Sequence, residues 1–454
     1  MATVIRGIWP LLLGVLLLMV GNGMQGTLLG IRGGIEGISA FQMSVVMASY
    51  YAGFLAGSLI VPDVIKSVGH VRVFAALGSA ISAVLIFYAV APNWLAWSVM
   101  RVLIGFCFCG VYITAESWLN AAANNQTRGQ SLAAYMIVQM LGIVIAQALL
   151  NLADPAAFTL FAISSILVSL AFTPILLSAQ PAPQFLTIKR MSFGKLYRAS
   201  PLGCVGIFLM GGVFAALSGM SSVWGTEMGL SVGQIASFVA AIYIGGMVLQ
   251  YPIGWLSDRF DRRKLVLSLT AAGALVTLAT ILLPMNIWGF TLVGALLGGV
   301  ANPVYTLLLA YTNDYLDQED MASASAGLLF IYGLGSMAGP IITGWLMEVM
   351  GPDGYWAYMG VLMAALAGYA RWRMTRRAAL GPSQQGSFPV VSPGATRFAV
   401  EAMEEAQTDA DDPATVRASD AATAEGDAER LSGEEQASSG VDPAALSSDE
   451  RKSD

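Results

Sequence analysis

The sequence predicts an all-α membrane protein with twelve transmembrane helices in two six-helix bundles. Its 454 residues are 56% hydrophobic and only 11% charged, and the mean hydropathy is +0.66. A soluble chain of this length would need far more polar surface to cover its core. Apolar runs of roughly 20 residues recur along the chain, and each is long enough to cross a bilayer as a helix. The runs are rich in Gly and Leu and lack period-2 alternation, which favours helices over a β-barrel.

Each apolar run is one predicted span, and a polar break divides the twelve spans into two sets of six. The first run follows Arg6 and is too long for the core of a signal peptide, so we expect it to be retained as a helix. The break predicts an N-terminal bundle over 1–178, a cytoplasmic linker over 179–198, a C-terminal bundle over 199–378 and a tail over 379–454. The predicted spans are 8–30, 41–62, 71–90, 95–118, 129–150, 156–178, 199–221, 231–254, 264–284, 287–310, 325–347 and 353–373.

The tail differs in charge from the rest of the chain. Residues 1–380 carry 18 Lys and Arg against 13 Asp and Glu, a net charge of +5, whereas residues 381–454 carry 5 against 16, a net charge of −11. The tail is also poor in aromatic residues, so it cannot bury enough apolar surface to offset the loss of chain entropy. We expect a disordered acidic segment, either a solvated extension or a regulatory region that binds a partner.

The basic residues predict the orientation of the chain in the membrane. Short cytoplasmic loops carry an excess of Lys and Arg. With a cytoplasmic N-terminus, only Arg32 lies on the opposite side, so we expect both termini to be cytoplasmic. The residues that then lie on the cytoplasmic side are Arg6, Lys66, Arg72, Arg128, Lys189, Arg190, Lys195, Arg198, Arg259, Arg262, Arg263, Lys264, Arg371, Arg373, Arg376 and Arg377.

One cytoplasmic loop is unusually charged and has a degraded copy in the first half of the chain. The stretch GWLSDRFDRRK, residues 254–264, holds six charges in seven positions. About 190 residues earlier, residues 62–72 read PDVIKSVGHVR, with Pro62, Lys66 and Arg72 in the places of Gly254, Asp258 and Lys264. A six-helix unit repeated in parallel is the architecture of many secondary carriers.

Three motifs resemble those of the major facilitator superfamily, and together the likeness covers roughly residues 1–378. The loop motif consists of Gly254, Leu256, Asp258, Arg259, Arg262 and Arg263. The fourth span carries Arg101 and Gly105, and the eleventh carries Gly335, Gly339 and Pro340. The altered first loop looks like the YcaD-like branch of bacterial carriers. The resemblance implies a transporter of the bacterial inner membrane with the twelve-helix fold of this superfamily.

The charged loop is a candidate gate. Asp258 can accept hydrogen bonds from the first amides of a neighbouring helix, or it can pair with Arg262. In the superfamily the equivalent loop is implicated in gating, which implies that role for Asp258, Arg259 and Arg262. The alternative is a topology signal that holds the loop in the cytoplasm. Because Lys66 replaces the acid in the first loop, a mechanism in which both loops gate in the same way is in doubt. The other candidate gating residues are Gly254, Arg263 and Arg72.

Polar side chains within the spans are candidates for a solute cavity, since such groups are costly in lipid. Asn22, Gln25 and Arg32 lie on one stripe of the first span and predict a cavity wall or a packing seam. On the fourth span, Arg101 could bind a carboxylate or phosphate, or tune a titrating acid. The other candidates, each of which could instead form an interhelical bond, are Tyr112, Tyr135, Gln139, Tyr243, Gln250, Asn302 and Tyr305.

Glu116 is the candidate proton carrier, because a carboxylate in an apolar setting can exchange a proton at physiological pH. The alternative is a structural salt bridge with Arg128. The lone histidine, His70, is expected in a loop, and Trp224 with Glu227 in an interfacial anchor and outer loop. We expect no metal site, no disulfide and no cofactor.

Together these features predict a secondary active transporter that moves a small polar solute, anionic or zwitterionic, by alternating access. Proton coupling is one candidate energy source, since the chain has no phosphate-binding loop of the ATPase type. The alternatives are an efflux antiporter for drugs or metabolites and a non-transporting sensor or scaffold. We do not expect an enzyme, and the expected partners are the solute, H⁺ and the bilayer, without nucleic acid, for a monomeric protein.

Overall fold

A computed structural model describes residues 2–122, 128–176 and 191–377. The predicted tail and most of the predicted linker lie outside these ranges, so the disorder of the tail stays a prediction. The described residues form the following α-helices: α1 Ala2–Ile35, α2 Ala40–Val68, α3 His70–Val90, α4 Trp94–Ala122, α5 Arg128–Leu149, α6 Thr159–Leu176, α7 Phe193–Ala199, α8 Pro201–Ala215, α9 Ser221–Glu227, α10 Val232–Ser257, α11 Arg262–Leu282, α12 Ile287–Asn313, α13 Gln318–Met350 and α14 Asp353–Met374.

Each predicted span corresponds to a helix or, in one case, to two joined helices. Ten stretches of the described chain are long and apolar enough to cross a membrane, judged by length and composition. The shorter apolar helix α6 and the helix α14 occupy the sixth and twelfth positions. The seventh span consists of α8 and α9, which a π-helical turn at Ala216–Met220 joins into one path over Pro201–Glu227.

Helix packing divides the spans into two bundles of six. In the first bundle, α1 packs on α5 and α6, α2 packs on α4, and α3 packs on α4 and α6. In the second bundle, α10 and α11 pack on α12, α11 packs on α14, and α8 packs on α12, α13 and α14. The bundles meet where α2 lies on α13, α5 on α10, and α1 on α9. The predicted fold class is therefore confirmed.

Glycine pairs at matching positions let helices approach closely in both halves. A Cβ atom on Gly53 of α2 would collide with the backbone of α4, and one on Gly105 of α4 would collide with the backbone of α2. In the second half, Gly245 of α10 and Gly298 of α12 stand in the same relation. Small residues at such contacts permit backbone-to-backbone packing in lipid. These pairs give the internal repeat a structural counterpart.

Two predictions about local structure are wrong. His70 is the first residue of α3 and is buried, because the helix begins directly after Gly69, whose φ is 95°. Trp224 lies within α9 and is fully buried, with its ring 5.2 Å from that of Trp356 and 4.9 Å from that of Phe238. The π-helical turn carries the helix past the predicted end at residue 221, so Trp224 packs in an aromatic core and does not anchor the protein at a membrane interface.

The bundle pair has two ends, the basal end and the far end. The basal end is where α1 begins and α2 ends, and it carries α7 and the loop between α10 and α11. The far end is where α1 ends and α2 begins, next to the junction of α13 and α14.

Candidate functional site

A cavity of about 180 Å³ lies between the two bundles near the middle of the helices. This is room for on the order of ten waters. Its walls come from α1, α2, α4 and α5 on one side and from α10, α12, α13 and the π-helical turn on the other. Seven of the predicted site residues line it, namely Asn22, Gln25, Arg101, Tyr112, Gln139, Tyr243 and Asn302.

Arg101 is a buried cation on the wall of this cavity, with 6% of its surface exposed. Nη1 donates a hydrogen bond to Gln25 Oε1 at 3.2 Å, and Nη2 lies 3.0 Å from the Met47 sulfur. The guanidinium carbon is 5.1 Å from the centre of the Tyr50 ring. Its buried Nε has no hydrogen-bond partner, and no carboxylate pairs with Arg101 within the described ranges. The cavity therefore contains a positive charge that no acidic side chain in the described part of the chain neutralises.

A chain of hydrogen bonds holds Arg101 in place. Gln25 accepts from Arg101 and donates through Nε2 to Asn22 Oδ1 at 3.2 Å. Asn22 in turn donates through Nδ2 to the Tyr112 hydroxyl at 3.0 Å. The predicted polar stripes of the first and fourth spans therefore meet as one network, which fixes the rotamers of the residues that surround the cation.

The opposite wall presents polar groups from the second bundle. Asn302 is buried, and its Oδ1 has no hydrogen-bond partner. Ser218, in the π-helical turn, hydrogen-bonds across the bundle boundary to the Tyr51 hydroxyl at 2.9 Å. A π-helical turn of this kind is frequently found at functional sites. Both walls of the cavity thus offer hydrogen-bonding groups.

Four predicted site residues lie behind the cavity or away from it. Arg32 pairs with Glu36 at 2.6 Å near the far end and donates to the Pro155 carbonyl at 3.3 Å, and it does not line this cavity. Two helical turns separate it from Gln25, which carries it beyond the cavity. Tyr305 packs behind the cavity against Tyr332, with ring centres 5.2 Å apart, and Gln250 donates to Thr306 Oγ1 at 3.2 Å. The fourth residue is Tyr135, described next.

Glu116 is fully buried toward the basal end of α4. The Tyr135 hydroxyl of α5 donates a hydrogen bond to Glu116 Oε1 at 3.1 Å. Glu116 is not among the residues that line the cavity. The side chain of Arg128, the predicted alternative partner, lies outside the described residues, so that alternative stays a prediction.

The charged loop at the basal end is organised around Arg262, of which only 1% is exposed. Nη1 donates to both carboxylate oxygens of Asp314, at 2.7 and 2.8 Å, and Nε donates to Ser257 Oγ at 3.1 Å. The predicted partner Asp258 lies 3.9 Å from Nη2, and its side chain is 45% exposed. The main counterion of Arg262 is therefore Asp314, at the end of α12, which ties the start of α11 to that helix.

The rest of the loop forms a second, shallower cluster. Asp261 caps α11 by accepting from the Arg263 backbone N–H at 3.0 Å, and it also accepts from Arg263 Nη2 at 2.8 Å. Partial burial by itself would raise the pKa of the Asp261 carboxyl, but the hydrogen bonds and charge of Arg263 outweigh it and hold this pKa below its ordinary value. The guanidinium of Arg259 stacks on Trp255 at 4.1 Å. Gly254 lies in the last turn of α10 and is buried.

The first-half loop lacks such a cluster in the part of the chain that the structure describes. Lys66 forms a single ion pair with Asp63 at 3.6 Å, and both side chains are largely exposed. Arg72 is exposed near the start of α3. The asymmetry that the sequence predicts between the two loops is therefore present in the structure.

The motif of the eleventh span is a helix contact. A Cβ atom on Gly335 would collide with the Phe208 carbonyl of α8, and one on Gly339 would lie 2.6 Å from the Gly212 carbonyl oxygen. Pro340 lies within the same helix, α13. These residues set the distance between α8 and α13 and do not line the cavity.

Several residues that line the cavity or stabilise the loop were not predicted from the sequence. Tyr50 and Tyr51 stand side by side in the run ASYYAGFLAG, and Gln147 ends the run IVIAQ, so polar groups within apolar spans were the available signal. Asp314 lies in the polar run after the tenth span. No signal in the sequence singled out its pairing with Arg262, because that contact depends on how α11 packs on α12.

Comparisons with known proteins agree with this architecture. A profile described as Major Facilitator Superfamily matches residues 11–238 and 202–400. An uncharacterised MFS-type transporter, YcaD of Escherichia coli, is 28% identical over 361 residues, which cover 77% of this chain and 91% of that protein. The YcaD protein of Shigella dysenteriae shows the same identity and coverage.

Solved structures with the same fold include three transporters. The nucleoside transporter NupG superposes with a TM-score of 0.67 at 14% identity and covers 82% of this chain and 99% of its own. A bacterial homologue of the lysosomal transporter Spinster, in an inward-facing and unoccupied conformation, gives a TM-score of 0.62 at 14% identity and covers 87% and 96%. The fucose:proton symporter FucP in its outward conformation gives 0.53 at 15% identity and covers 82% and 99%. With the family profile spanning most of its length, the chain belongs to the major facilitator superfamily.

Proposed function

We propose that the protein is a secondary active transporter that moves a small solute carrying a negative group, and that Arg101 binds this group. The observation that carries the proposal is a buried guanidinium on the cavity wall with no acidic partner in the described chain. Burying an unpaired charge costs several kcal/mol, and such charges are normally paired. An anionic solute supplies the missing counterion.

The chemistry of arginine suits this role. A planar guanidinium binds carboxylate and phosphate through two parallel hydrogen bonds. Of the described residues that line the cavity, none is acidic. The hydrogen-bond chain through Gln25 and Asn22 keeps the cation oriented before a solute arrives, which lowers the entropy lost on binding.

The contacts between the bundles support alternating access from the basal end. At the far end, the Ser39 hydroxyl of α2 donates to Glu348 of α13 at 2.7 Å. Tight contacts also join Gly34 of α1 to Thr226 of α9, since a Cβ atom on this glycine would collide with the threonine. These contacts close the far end.

Toward the basal end the bundles enclose a second cavity of about 280 Å³, which shares Ser58 and Leu329 with the central one. If the basal end is cytoplasmic, as the distribution of basic residues predicts, this conformation connects the solute site to the cytoplasm. Transport then requires the far-end contacts to separate as the basal cavity closes.

Proton coupling through Glu116 is the finer part of the proposal. Glu116 is a fully buried carboxylate held by the Tyr135 hydroxyl, and it lies on the same helix as Arg101. Protonation of a buried carboxylate removes its charge, which changes the stability of the packing around it. One solved relative of the fold, FucP, is a fucose:proton symporter.

The test begins with a metabolite-wide thermal-shift screen of the purified protein, because a bound solute stabilises the folded state by mass action. Candidate solutes then enter uptake assays in proteoliposomes. We expect anions to stabilise the wild type and to have no effect on Arg101→Gln. The control is Arg32→Gln, which anions should still stabilise, because Arg32 of the wild type is already paired with Glu36. Undiminished anion binding and uptake by Arg101→Gln would refute the proposal.

Coupling is tested separately with Glu116→Gln. This variant should lose accumulation driven by a pH gradient while it retains exchange of labelled for unlabelled solute. If accumulation still follows the pH gradient in Glu116→Gln, another group carries the proton.

A further inference from the structure

The two classes of unpartnered polar atoms around the cavity differ in what they require from a ligand. Arg101 Nε is a donor without an acceptor. Asn302 Oδ1 and Gln147 Oε1 are acceptors without a donor, and both residues line the same cavity. All three residues are more than nine-tenths buried. Because buried polar atoms in proteins are almost always hydrogen-bonded, these atoms describe the complement of a ligand.

The two acceptor atoms, Asn302 Oδ1 and Gln147 Oε1, each need a group that donates a hydrogen bond. Asn302 projects from α12, and its Nδ2 packs against Gly246 of α10, where a Cβ atom would collide with it. Its Oδ1 is the atom left without a partner. Arg101 belongs to the first bundle and Asn302 to the second, so a ligand that satisfies both atoms bridges the two bundles.

Charge balance decides between a hydroxyl and an ammonium as the donor. Arg101 contributes one positive charge, and no acidic residue lies among the described residues of the cavity wall. A monoanion neutralises this site, whereas a zwitterion with a carboxylate and an ammonium leaves it with a net positive charge. An ammonium would also face neutral amide and hydroxyl oxygens without a carboxylate, and these compensate its loss of hydration poorly. The donor is therefore uncharged.

We infer that the solute is a hydroxycarboxylate, with its carboxylate on Arg101 and its hydroxyl donating to Asn302 Oδ1. This inference rests on the proposed function and narrows it from any solute with a negative group to one chemical class with a defined orientation. Asn302 then sets specificity, and the ligand draws α4 and α12 together across the bundle boundary. The Tyr332 hydroxyl also lines the cavity, but a hydroxyl can donate or accept and so does not discriminate between ligands.

The test uses matched carboxylates of three shapes in binding measurements on the purified full-length protein. The sets are lactate, propionate and alanine; 6-hydroxyhexanoate, hexanoate and 6-aminohexanoate; and 3-phenyllactate, 3-phenylpropionate and phenylalanine. The amide of each hydroxy acid completes its set. In at least one set we expect the hydroxy acid to bind roughly tenfold tighter than the deoxy acid, because the latter leaves a buried acceptor unpaired.

Variants test whether Asn302 causes the preference for hydroxy acids over deoxy acids. Asn302→Leu should bind the hydroxy and deoxy acids equally while it keeps its preference for acids over amides. Asn302→Asp places a negative charge where the hydroxyl binds, so it should favour the amino acid of the same set. Gln250→Leu removes an amide from α10 outside the cavity wall and should behave like the wild type.

The outcomes separate this inference from the proposed function. If deoxy acids bind as tightly as hydroxy acids in every set, or amino acids bind more tightly, the hydroxycarboxylate inference is wrong while the anion site stands. If amides bind as tightly as the acids, the anion site itself is wrong. If no member of any set binds, the hydroxycarboxylate inference is wrong. If Asn302→Leu keeps the hydroxyl preference, the assignment to Asn302 is overturned.

Discussion

Arg101 and Arg262 are both buried arginines, but among the described residues only Arg262 has a carboxylate counterion. Arg262 is 1% exposed and donates to both oxygens of Asp314, with Ser257 on its Nε. Arg101 is 6% exposed, donates to the neutral Gln25 and leaves its Nε without a partner. The same side chain thus occurs once in a completed ion pair and once in an incomplete one.

A completed ion pair holds two helices together, whereas an incomplete one is suited to binding a ligand. A completed buried pair is strongly held, because the loss of either member leaves a charge without compensation. An arginine without a counterion is unfavourable in a buried site, and an anionic ligand lowers this free-energy cost when it supplies the counterion. The Arg262–Asp314 pair therefore fixes α11 on α12 within one bundle. Arg101 lies at the boundary between the bundles, where a ligand can bind to it.

The largest effect is expected at the completed pair. Asp314→Ala should destabilise the protein by about 3–5 kcal/mol, because it removes the carboxylate that accepts two hydrogen bonds from the buried Arg262 guanidinium. Thermal unfolding in detergent measures the loss. The double variant Arg262→Met with Asp314→Ala should recover much of it. As a control, Asp258→Ala should change stability by no more than about 1 kcal/mol, since this acid is 45% exposed and 3.9 Å from Arg262. Equal losses in the two single variants would contradict the assignment of Asp314 as the main counterion.

The second prediction completes the incomplete pair from within. Gln25→Glu places a carboxylate at the position whose oxygen already lies 3.2 Å from Arg101 Nη1. The internal ion pair should weaken anion binding by about 2–4 kcal/mol, because the solute must now compete with a buried partner. Binding titrations of the anions found in the screen measure this loss. Gln234→Glu adds the same charge in the exposed capping box of α10 and should leave the affinity within about twofold, because salt and water screen it. An unchanged affinity in Gln25→Glu would show that the solute does not bind at Arg101.

The third prediction reverses the usual sign of an arginine deletion. Arg101→Met should leave the ligand-free protein as stable as the wild type or more stable by about 1–2 kcal/mol, because it removes an unpaired buried charge. Arg262→Met should instead lower stability, because it removes the guanidinium that donates to both carboxylate oxygens of Asp314, whose side chain is only 4% exposed. Unfolding temperatures of the two variants without ligand provide the comparison. A loss of stability in Arg101→Met as large as that in Arg262→Met would remove the distinction between the two arginines.

The same contrast shows which parts of the site the sequence predicts. Arg101, Gln25 and Asn22 were predictable, because polar groups are rare within apolar spans and must find a cavity or a partner there. The fold was predictable for a related reason, since span length, the polar break and the repeat of the charged loop act over short distances in the chain. The partner of Arg262 was not, because Asp314 is 52 residues away and is brought near only by helix packing.

Other errors arose where the backbone departs from a regular helix. The π-helical turn at Ala216–Met220 changes the face that later residues present, so Trp224 is buried and Ser218 reaches the cavity. Hydrophobic periodicity assumes 3.6 residues per turn and does not anticipate such a turn. Arg32 lies outside this cavity for a simpler reason. A stripe defines a helix face but not the depth at which a cavity ends.

The smallest effect is expected at the shallow cluster of the basal loop, where the ion pair is complete but partly exposed. Asp261→Asn keeps a good cap for α11 and removes the charge that Arg263 holds. Because the folded-state pKa of Asp261 lies below its ordinary value of about 3.9, the ionised form contributes stability above that pH. This contribution is lost as the pH falls through the folded-state pKa. Wild type should therefore exceed Asp261→Asn by less than about 1 kcal/mol at pH 7, and the two should converge below about pH 4. Unfolding temperatures between pH 7 and pH 3 measure the difference, and a gap that widens toward acid pH would mean that Arg263 does not hold this carboxylate in its ionised form.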